Sequence, residues 1–97
     1  MKRFLIEVPH ESDKHACDHA IQVFRESGSH YLIRAEWGCL DGEHKSWIIV
    51  DVENKEEARL IVPPLFRHDA KIIQLIRFAS AEEMDSDKIH QGIGRKE

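Results

Sequence analysis

The sequence predicts an α+β fold in which a four-stranded antiparallel sheet carries two helices on one face. Three observations predict it: apolar runs with a period of two, two segments with helix-capping residues, of which the first is amphipathic, and an Asp-Gly turn between the middle runs. The chain has 97 residues, of which 41% are hydrophobic and 33% are charged. This length and composition are typical of one globular domain rather than of a disordered or membrane-embedded chain.

The first strand is predicted over residues 3–8, because apolar side chains alternate there with a period of two. Pro9 ends this strand, and Ser12 is a suitable N-cap for a helix that extends to about Ser27. Apolar positions three and four residues apart give this helix one face for packing on a sheet. They are Ala16, Ala20, Val23 and Phe24, with Cys17 on the flank.

Two further strand-like runs, residues 30–37 and 43–53, are joined through Asp41-Gly42, a strong signal for a type I′ hairpin turn. A register with Leu40 opposite Glu43 makes one side of the hairpin apolar. The same register makes Cys39 and His44 cross-strand neighbours. The other predicted pairs are Trp37 with Ser46, Ala35 with Ile48, Ile33 with Val50 and Tyr31 with Val52.

A short second helix is predicted from Lys55 to about Val62, with Asn54 as its N-cap. Pro63-Pro64 ends it, because proline cannot extend the ladder of helical hydrogen bonds. Leu65 and Phe66 are then expected to close an edge of the core.

The last strand is predicted over residues 71–78, which completes the order β-α-β-β-α-β. This is the ferredoxin-like arrangement, in which right-handed crossovers give the spatial strand order 4-1-3-2. The domain is expected to comprise residues 1–80, and residues 81–97 a helical turn and a flexible tail.

The face of the sheet without helices is predicted to be a homodimer interface. Phe4, Ile6, Val8, Ile33, Val50 and Ile76 are expected on the helix-covered face. The opposite face should be polar in a monomer, but the alternation places a contiguous apolar patch there. Its members are Leu5, Leu32, Trp47, Ile49, Ile73 and Leu75. A symmetric dimer that packs sheet against sheet would cover this patch.

Charge and hydropathy make other partners improbable. The net charge is −4 and the basic residues are scattered, so nucleic acid is not expected as a partner. No run approaches the roughly 20 apolar residues of a membrane-spanning helix. A cytoplasmic protein is therefore expected, in which Cys17 and Cys39 are free thiols.

Two runs, HESDKHACDHAIQVFRESG and AEWGCLDGEHKSWIIVDVENKEEA, resemble small bacterial families with a Trp-Gly hairpin between the two middle strands. By pattern, about residues 1–80 resemble the dimeric α/β-barrel superfamily, which includes muconolactone isomerase-like, EthD-like and antibiotic-biosynthesis-monooxygenase-like proteins. The resemblance implies the fold and the dimer. No catalytic signature of the characterised families is matched residue by residue, so any chemistry it implies is analogy.

Histidine and cysteine residues are predicted to gather at one edge of the domain. The end of the first strand, the start of the first helix, the hairpin and the start of the last strand all reach this edge. The side chains expected there are His10, His15, Cys39, His44 and His68, with Asp69.

The leading hypothesis for function is a small organic ligand in a cleft between sheet and helix, with cofactor-free isomerisation or oxygenation as the candidate chemistry. His44 is the candidate acid or base, and Cys39 the candidate nucleophile. Trp37, Phe66, His10 and His68 are the candidate substrate-binding residues.

Two alternatives use the same chain differently. The first is a transition-metal protein for Ni, Zn or Cu, because imidazole and thiolate are the ligands that these ions prefer. His15, His19 and His44 are its candidate ligands, with Cys39 beside His44. The second is a non-catalytic domain that binds another protein through its sheet. A simpler interpretation of the edge residues is structural, with Cys39 as a small hydrophobe and Trp37 in the core. The cofactor is left open between none and a transition metal.

Overall fold

In a computed structural model, residues 1–84 form a four-stranded antiparallel sheet with three helices, which confirms the α+β class. Residues 85–97, most of the predicted tail, lie outside the described residues. The strands are β1 (Lys2–Pro9), β2 (Glu36–Trp37), β3 (Lys45–Val52) and β4 (Lys71–Leu75). The helices are α1 (Lys14–Glu26), α2 (Lys55–Ile61) and α3 (Pro64–Arg67), and two 3₁₀ turns cover Leu32–Arg34 and Cys39–Asp41.

The sheet is centred on β1, which pairs antiparallel with both β3 and β4. The strand order is β2-β3-β1-β4, which reads 4-1-3-2 from the β4 edge. Ile6 shows the central register, since it lies opposite Ile48 on one side and Ile72 on the other. Every second side chain of β1 is buried, as the period of two predicts.

The core lies between one face of the sheet and the helices. Sheet, helix and loop residues all contribute to it, as expected for an amphipathic sheet covered on one side. Its buried members are Phe4, Ile6, Val8, Phe24, Leu32, Ile48, Val50, Val52, Ala58, Val62, Ala70 and Ile72.

The first helix begins one residue later than predicted. The N-cap is Asp13, whose carboxylate accepts a hydrogen bond of 2.8 Å from the Ala16 backbone N–H. Asp13 thereby satisfies one of the unpaired donors of the first turn, so Ser12 is not the cap. The buried face of α1 is Cys17, Ala20 and Phe24. Cys17 therefore belongs to the packed face, at its N-terminal end, rather than to the flank.

The predicted strand over residues 30–37 is wrong for most of its length. Only Glu36 and Trp37 pair with β3, and of the predicted pairs the ladder contains Trp37 with Ser46. The 3₁₀ turn Leu32–Arg34 replaces the rest, and it leaves Leu32 3% and Ile33 75% exposed. A turn is preferred here because it brings Leu32 into the core, where a strand would have turned it to the opposite face. Leu32 is consequently not part of the helix-free face, and Ile33 is not on the helix-covered one.

The Asp-Gly turn is also different from the prediction. A type I′ turn needs positive φ at both central residues, but only Gly42 has it, with φ of 81°. Asp41 ends the 3₁₀ turn Cys39–Asp41 instead. Gly38 closes this longer loop: its N–H donates to the Lys45 carbonyl at 3.1 Å, and its carbonyl accepts from the Glu43 N–H at 2.9 Å.

Gly38→Ala should destabilise the protein by about 1–3 kcal/mol, because an added methyl group would overpack the closed loop. A Cβ at this position would lie 2.8 Å from the Glu43 carbonyl oxygen and 2.9 Å from a ring carbon of Trp47. Urea denaturation measures the loss. Ser12→Ala, an exposed position outside the helix cap, serves as the control and should change the stability by less than about 0.5 kcal/mol. Equal stability of Gly38→Ala and the native chain would show that the loop relaxes freely.

Three smaller predictions are corrected as well. The last strand ends at Leu75 rather than at residue 78, which leaves Ile76 exposed instead of on the helix-covered face. The second helix ends at Ile61, and Pro64 starts the short α3 because proline fits the first helical position. Leu65 is exposed on α3, so of the two residues expected to close the core only Phe66 packs against it.

The face without helices keeps an apolar centre. Ile49 is 59% exposed there and Ile73 is 37% exposed, while Leu5, Trp47 and Leu75 are half-buried. Trp47 donates its indole N–H to Glu7 at 3.2 Å, and Arg3 forms an ion pair with Asp51 at 3.1 Å.

Among residues 1–84, no helix has the length and apolar character needed to span a bilayer.

Candidate metal centre

Four side chains with metal-binding atoms converge at one edge of the domain. They are His10, Cys17, Cys39 and His44, and one ligand atom from each lies within 4.8 Å of all the others. Within residues 1–84 this is the only group of three or more His, Cys, Asp or Glu residues with such spacing. Its members come from four different segments, so the tertiary fold creates the cluster.

The pairing of β1 with β3 brings the two histidines together. The ladder ends with Pro9 opposite Lys45, and the next step is a 3.0 Å hydrogen bond from the His10 N–H to the His44 carbonyl. His10 and His44 are therefore neighbours across the end of the ladder. Their ring centroids are 5.6 Å apart and the ring planes are nearly perpendicular, at 89°.

The first turn of α1 supplies Cys17, the most central of the four. The Asp13 cap fixes where the helix starts and thus the direction of Cys17, which is buried on the packed face. The Cys17 sulfur lies 3.2 Å from His10 Nε2, 3.2 Å from His44 Nδ1 and 3.5 Å from the Cys39 sulfur. It thus contacts all three other ligand atoms.

The loop closed by Gly38 supplies Cys39. The 3₁₀ turn begins at this residue and directs its half-buried side chain toward the histidines. The Cys39 sulfur lies 3.3 Å from His10 Nε2. The long loop therefore places Cys39 near His44, as the predicted two-residue turn was expected to do.

The size of the cluster fits a tetrahedral ion. Bond lengths of about 2.3 Å for Zn–S and 2.0–2.1 Å for Zn–N separate the ligand atoms of a tetrahedral site by roughly 3.3–3.8 Å. Four of the six separations here are 3.2, 3.2, 3.3 and 3.5 Å. A donor set of two thiolates and two imidazoles is typical of zinc sites, and it is too soft for Mg²⁺ or Ca²⁺.

Burial favours the uncharged forms of two ligands. It lowers the pKa of His10 from its ordinary value, with a smaller contribution from the nearby His44. Neutral imidazole is the form that binds a metal. Burial also raises the pKa of the Cys17 thiol, followed in size by its hydrogen bond with Cys39. Without metal, Cys17 is therefore a thiol at neutral pH, and a metal ion must displace its proton.

Zinc affinity should rise with pH between 6 and 8. The raised pKa of Cys17 lies above this range, so each increase in pH makes displacement of its proton less costly across the whole window. One displaced thiol proton corresponds to about tenfold in affinity per pH unit. His10 adds less to this slope than an ordinary histidine would, because burial lowers its pKa. Competition titrations against a chelator at several pH values measure the slope, and a flat profile would contradict thiolate ligation.

The other candidate site residues lie around the cluster. Trp37 packs between Phe24 and His10, with ring centroids 4.9 and 5.9 Å away, and thereby supports the His10 ring. Phe66 packs against Phe24 with a centroid distance of 6.1 Å. His10 and Phe66, both candidate substrate-binding residues, line a cavity of about 610 Å³.

Three candidate histidines lie outside the cluster. His15 and His19 are exposed on α1, where His19 lines the same cavity as His10 and Phe66. His68 is exposed and follows α3. The pair at positions i and i+4 of the helix is thus not the centre of the metal cluster, although its third proposed partner, His44, belongs to it.

Sequence reasoning did not include Cys17 among the candidate ligands; it expected His10 at the same edge as Cys39 and His44 but counted it among the candidate substrate-binding residues. Two signals were present in the sequence. The antiparallel pairing of the first and third strands, continued past Pro9, places His10 opposite His44. Cys17 stands three residues before Ala20 and seven before Phe24, which places it at the inward-facing start of the helix.

Comparisons with protein-family models, with curated proteins and with solved structures found no match to this chain. The geometry of the four ligand residues is therefore the main observation from which a function can be argued.

Proposed function

We propose that this protein binds one transition-metal ion, with Zn²⁺ the best fit, through His10, Cys17, Cys39 and His44. The observation that carries the proposal is the convergence of four ligand atoms within 4.8 Å, with four of the six separations between 3.2 and 3.5 Å, close to those of a tetrahedral site. Two histidines and two cysteines meet at one point without a sequence motif that brings them together, so a metal ion bound by all four is the simplest explanation for the cluster.

The proposed role of the ion is to stabilise the edge of the domain. Four protein ligands complete a tetrahedron and leave no open position for a substrate or an activated water. The ion would join the end of β1, the start of α1, the hairpin loop and the start of β3. Such a centre acts as a cross-link between segments that are distant in the sequence, and metal binding is then coupled to folding.

Titration of the reduced, metal-free protein with Zn²⁺ and Co²⁺ tests the proposal. We expect one equivalent of either ion per chain, and thiolate-to-cobalt charge-transfer absorption together with the intense visible bands of tetrahedral cobalt. Mg²⁺ and Ca²⁺, which prefer oxygen ligands, should not compete. Less than a tenth of an equivalent bound, or cobalt without thiolate absorption, would rule the centre out.

A second candidate function is the binding of a small organic molecule, with isomerase or oxygenase chemistry as its furthest extension. The cavity of about 610 Å³ beside His10, lined also by His19, Phe66 and Asp69, favours it. In this alternative Cys39 acts as nucleophile and His44 acts as acid or base, and the ligation of His44 to zinc would prevent its acid or base role. Thermal-shift screening of aromatic and lactone compounds on the metal-free and the zinc-loaded protein separates the two functions.

We also propose the ferredoxin-like assignment, the relationship to the dimeric α/β-barrel superfamily and a homodimer through the helix-free face of the sheet. The strand order supports the ferredoxin-like assignment. The exposed side chains of Ile49 and Ile73 support the homodimer. Sedimentation of the purified protein tests the dimer. A monomer at micromolar concentration would leave this face free for a different protein partner and would exclude the self-associating arrangement.

A further inference from the structure

The two cysteines of the cluster are close enough to react with each other. Their sulfur atoms are 3.5 Å apart, and a disulfide bond is about 2.05 Å long. A relative movement of about 1.5 Å would therefore join them. Both are free thiols in the structure.

The two thiols differ in their access to solvent and in the element that carries them. Cys17 is buried on α1, a helix of 13 residues that packs on the core. Cys39 is half-buried at the start of a one-turn loop between Gly38 and Gly42, where the next residue, Leu40, is fully exposed. A dissolved oxidant reaches Cys39 more easily, and the loop rather than the helix can supply the movement.

We propose that hydroperoxides oxidise Cys17 and Cys39 to a disulfide and thereby release the metal ion. This inference rests on the proposed metal-binding function and adds its regulation. The Cys39 thiolate attacks one oxygen of hydrogen peroxide, the O–O bond breaks, hydroxide leaves and Cys39 becomes a sulfenic acid. The Cys17 thiolate then attacks the Cys39 sulfur, the S–S bond forms and a second hydroxide leaves. Two protons from solvent convert both hydroxides to water.

The electron balance identifies what the metal loses. The two sulfurs give two electrons to one peroxide molecule, and zinc, which has no redox chemistry of its own, remains Zn²⁺. The ion loses both thiolates, which had neutralised its charge, and keeps only the imidazoles of His10 and His44. A pair of imidazoles holds zinc far more weakly than the complete set, so the ion dissociates. A dithiol reductant restores the site because it reduces the disulfide to two thiols by thiol–disulfide exchange.

Peroxide treatment of the zinc-loaded full chain tests this switch. One equivalent of hydrogen peroxide should release about one zinc ion per chain to a chromogenic chelator and lower the intact mass by about 2 Da, the two hydrogens lost on disulfide formation. Peptide mapping should locate the bond between Cys17 and Cys39. Dithiothreitol followed by fresh zinc should restore both the mass and the metal content. Zinc that stays bound, or a mass gain of about 32 Da for each separately oxidised cysteine, would overturn the inference.

Two controls separate this inference from the proposed function. The zinc content before peroxide addition tests metal binding alone, and a chain without zinc would refute both. A chain that holds one zinc ion and forms no disulfide would refute only the switch. Cys39→Ser removes the attacked sulfur and should form no cross-link, whereas His15→Ala, an exposed change outside the cluster, should release zinc as the native chain does.

Discussion

Cys17→Ser should lower the zinc affinity by more than about 100-fold. Loss of a residue that only hydrogen-bonds to a metal ligand costs up to about 100-fold, and loss of a ligand itself should cost more. Cys17 is the proposed ligand whose sulfur contacts the ligand atoms of all three others, at 3.2, 3.2 and 3.5 Å. A serine hydroxyl fits the same space but is not a thiolate at neutral pH, so the ion loses both a soft donor and a negative charge. Competition with a chromogenic chelator measures the affinity.

His15→Ala is the matched control for this substitution. His15 lies two residues before Cys17 on the same helix, is exposed, and is not a member of the cluster. Its replacement should leave the affinity within about threefold, whereas the sequence-based proposal of a site on His15 and His19 expects a large loss. Circular dichroism of metal-free Cys17→Ser checks that its fold is intact. Native affinity in a folded Cys17→Ser variant would exclude the four-residue centre.

Zinc should raise the free energy of unfolding by about 4 kcal/mol when free zinc is about 1,000 times its dissociation constant. The physical reason is that the unfolded chain cannot hold together ligands that lie up to 34 residues apart, so the ion binds the native state preferentially. For a domain of this size, that gain corresponds to a rise in Tm of roughly 15 °C or more.

Thermal denaturation with zinc, without zinc and after addition of a chelator measures the effect. The chelator should return the Tm to that of the metal-free protein. His44→Ala removes one of the four ligands and should reduce the zinc-dependent rise to a small fraction, while the metal-free stabilities of variant and native chain are compared directly. A melting curve that zinc does not shift would show that the cluster forms without metal and would count against the proposed function.

The helices and the long strands were predictable because local interactions specify them. The alternation of buried residues in β1, and the Asn54 side chain that accepts from the Glu57 N–H at 2.9 Å, are visible in short windows of sequence. Residues 30–35 have the same alternation and yet do not pair in the sheet, because a 3₁₀ turn forms over Leu32–Arg34. The Ser29 hydroxyl accepts a hydrogen bond from the Tyr31 N–H, and Leu32 packs in the core, and neither contact could be weighed without the neighbouring elements.

Three of the four residues of the candidate site could likewise be placed from the sequence, and the fourth could not. Cys39, His44 and His10 were expected at one edge, because strand direction and the position of the turn place them there. Cys17 was absent from that set of ligands, because a cysteine in an apolar helical stripe is most simply interpreted as a small hydrophobe.

The sequence by itself determined the α+β class, the amphipathic helices and the edge at which the histidines gather, since periodicity and capping act over a few residues. Only the tertiary structure decided that four ligand atoms meet within 4.8 Å. That convergence depends on the β1–β3 register, on the rotation of α1 about its axis and on the path of the loop after Gly38. Each of these is a long-range packing outcome to which no local pattern corresponds.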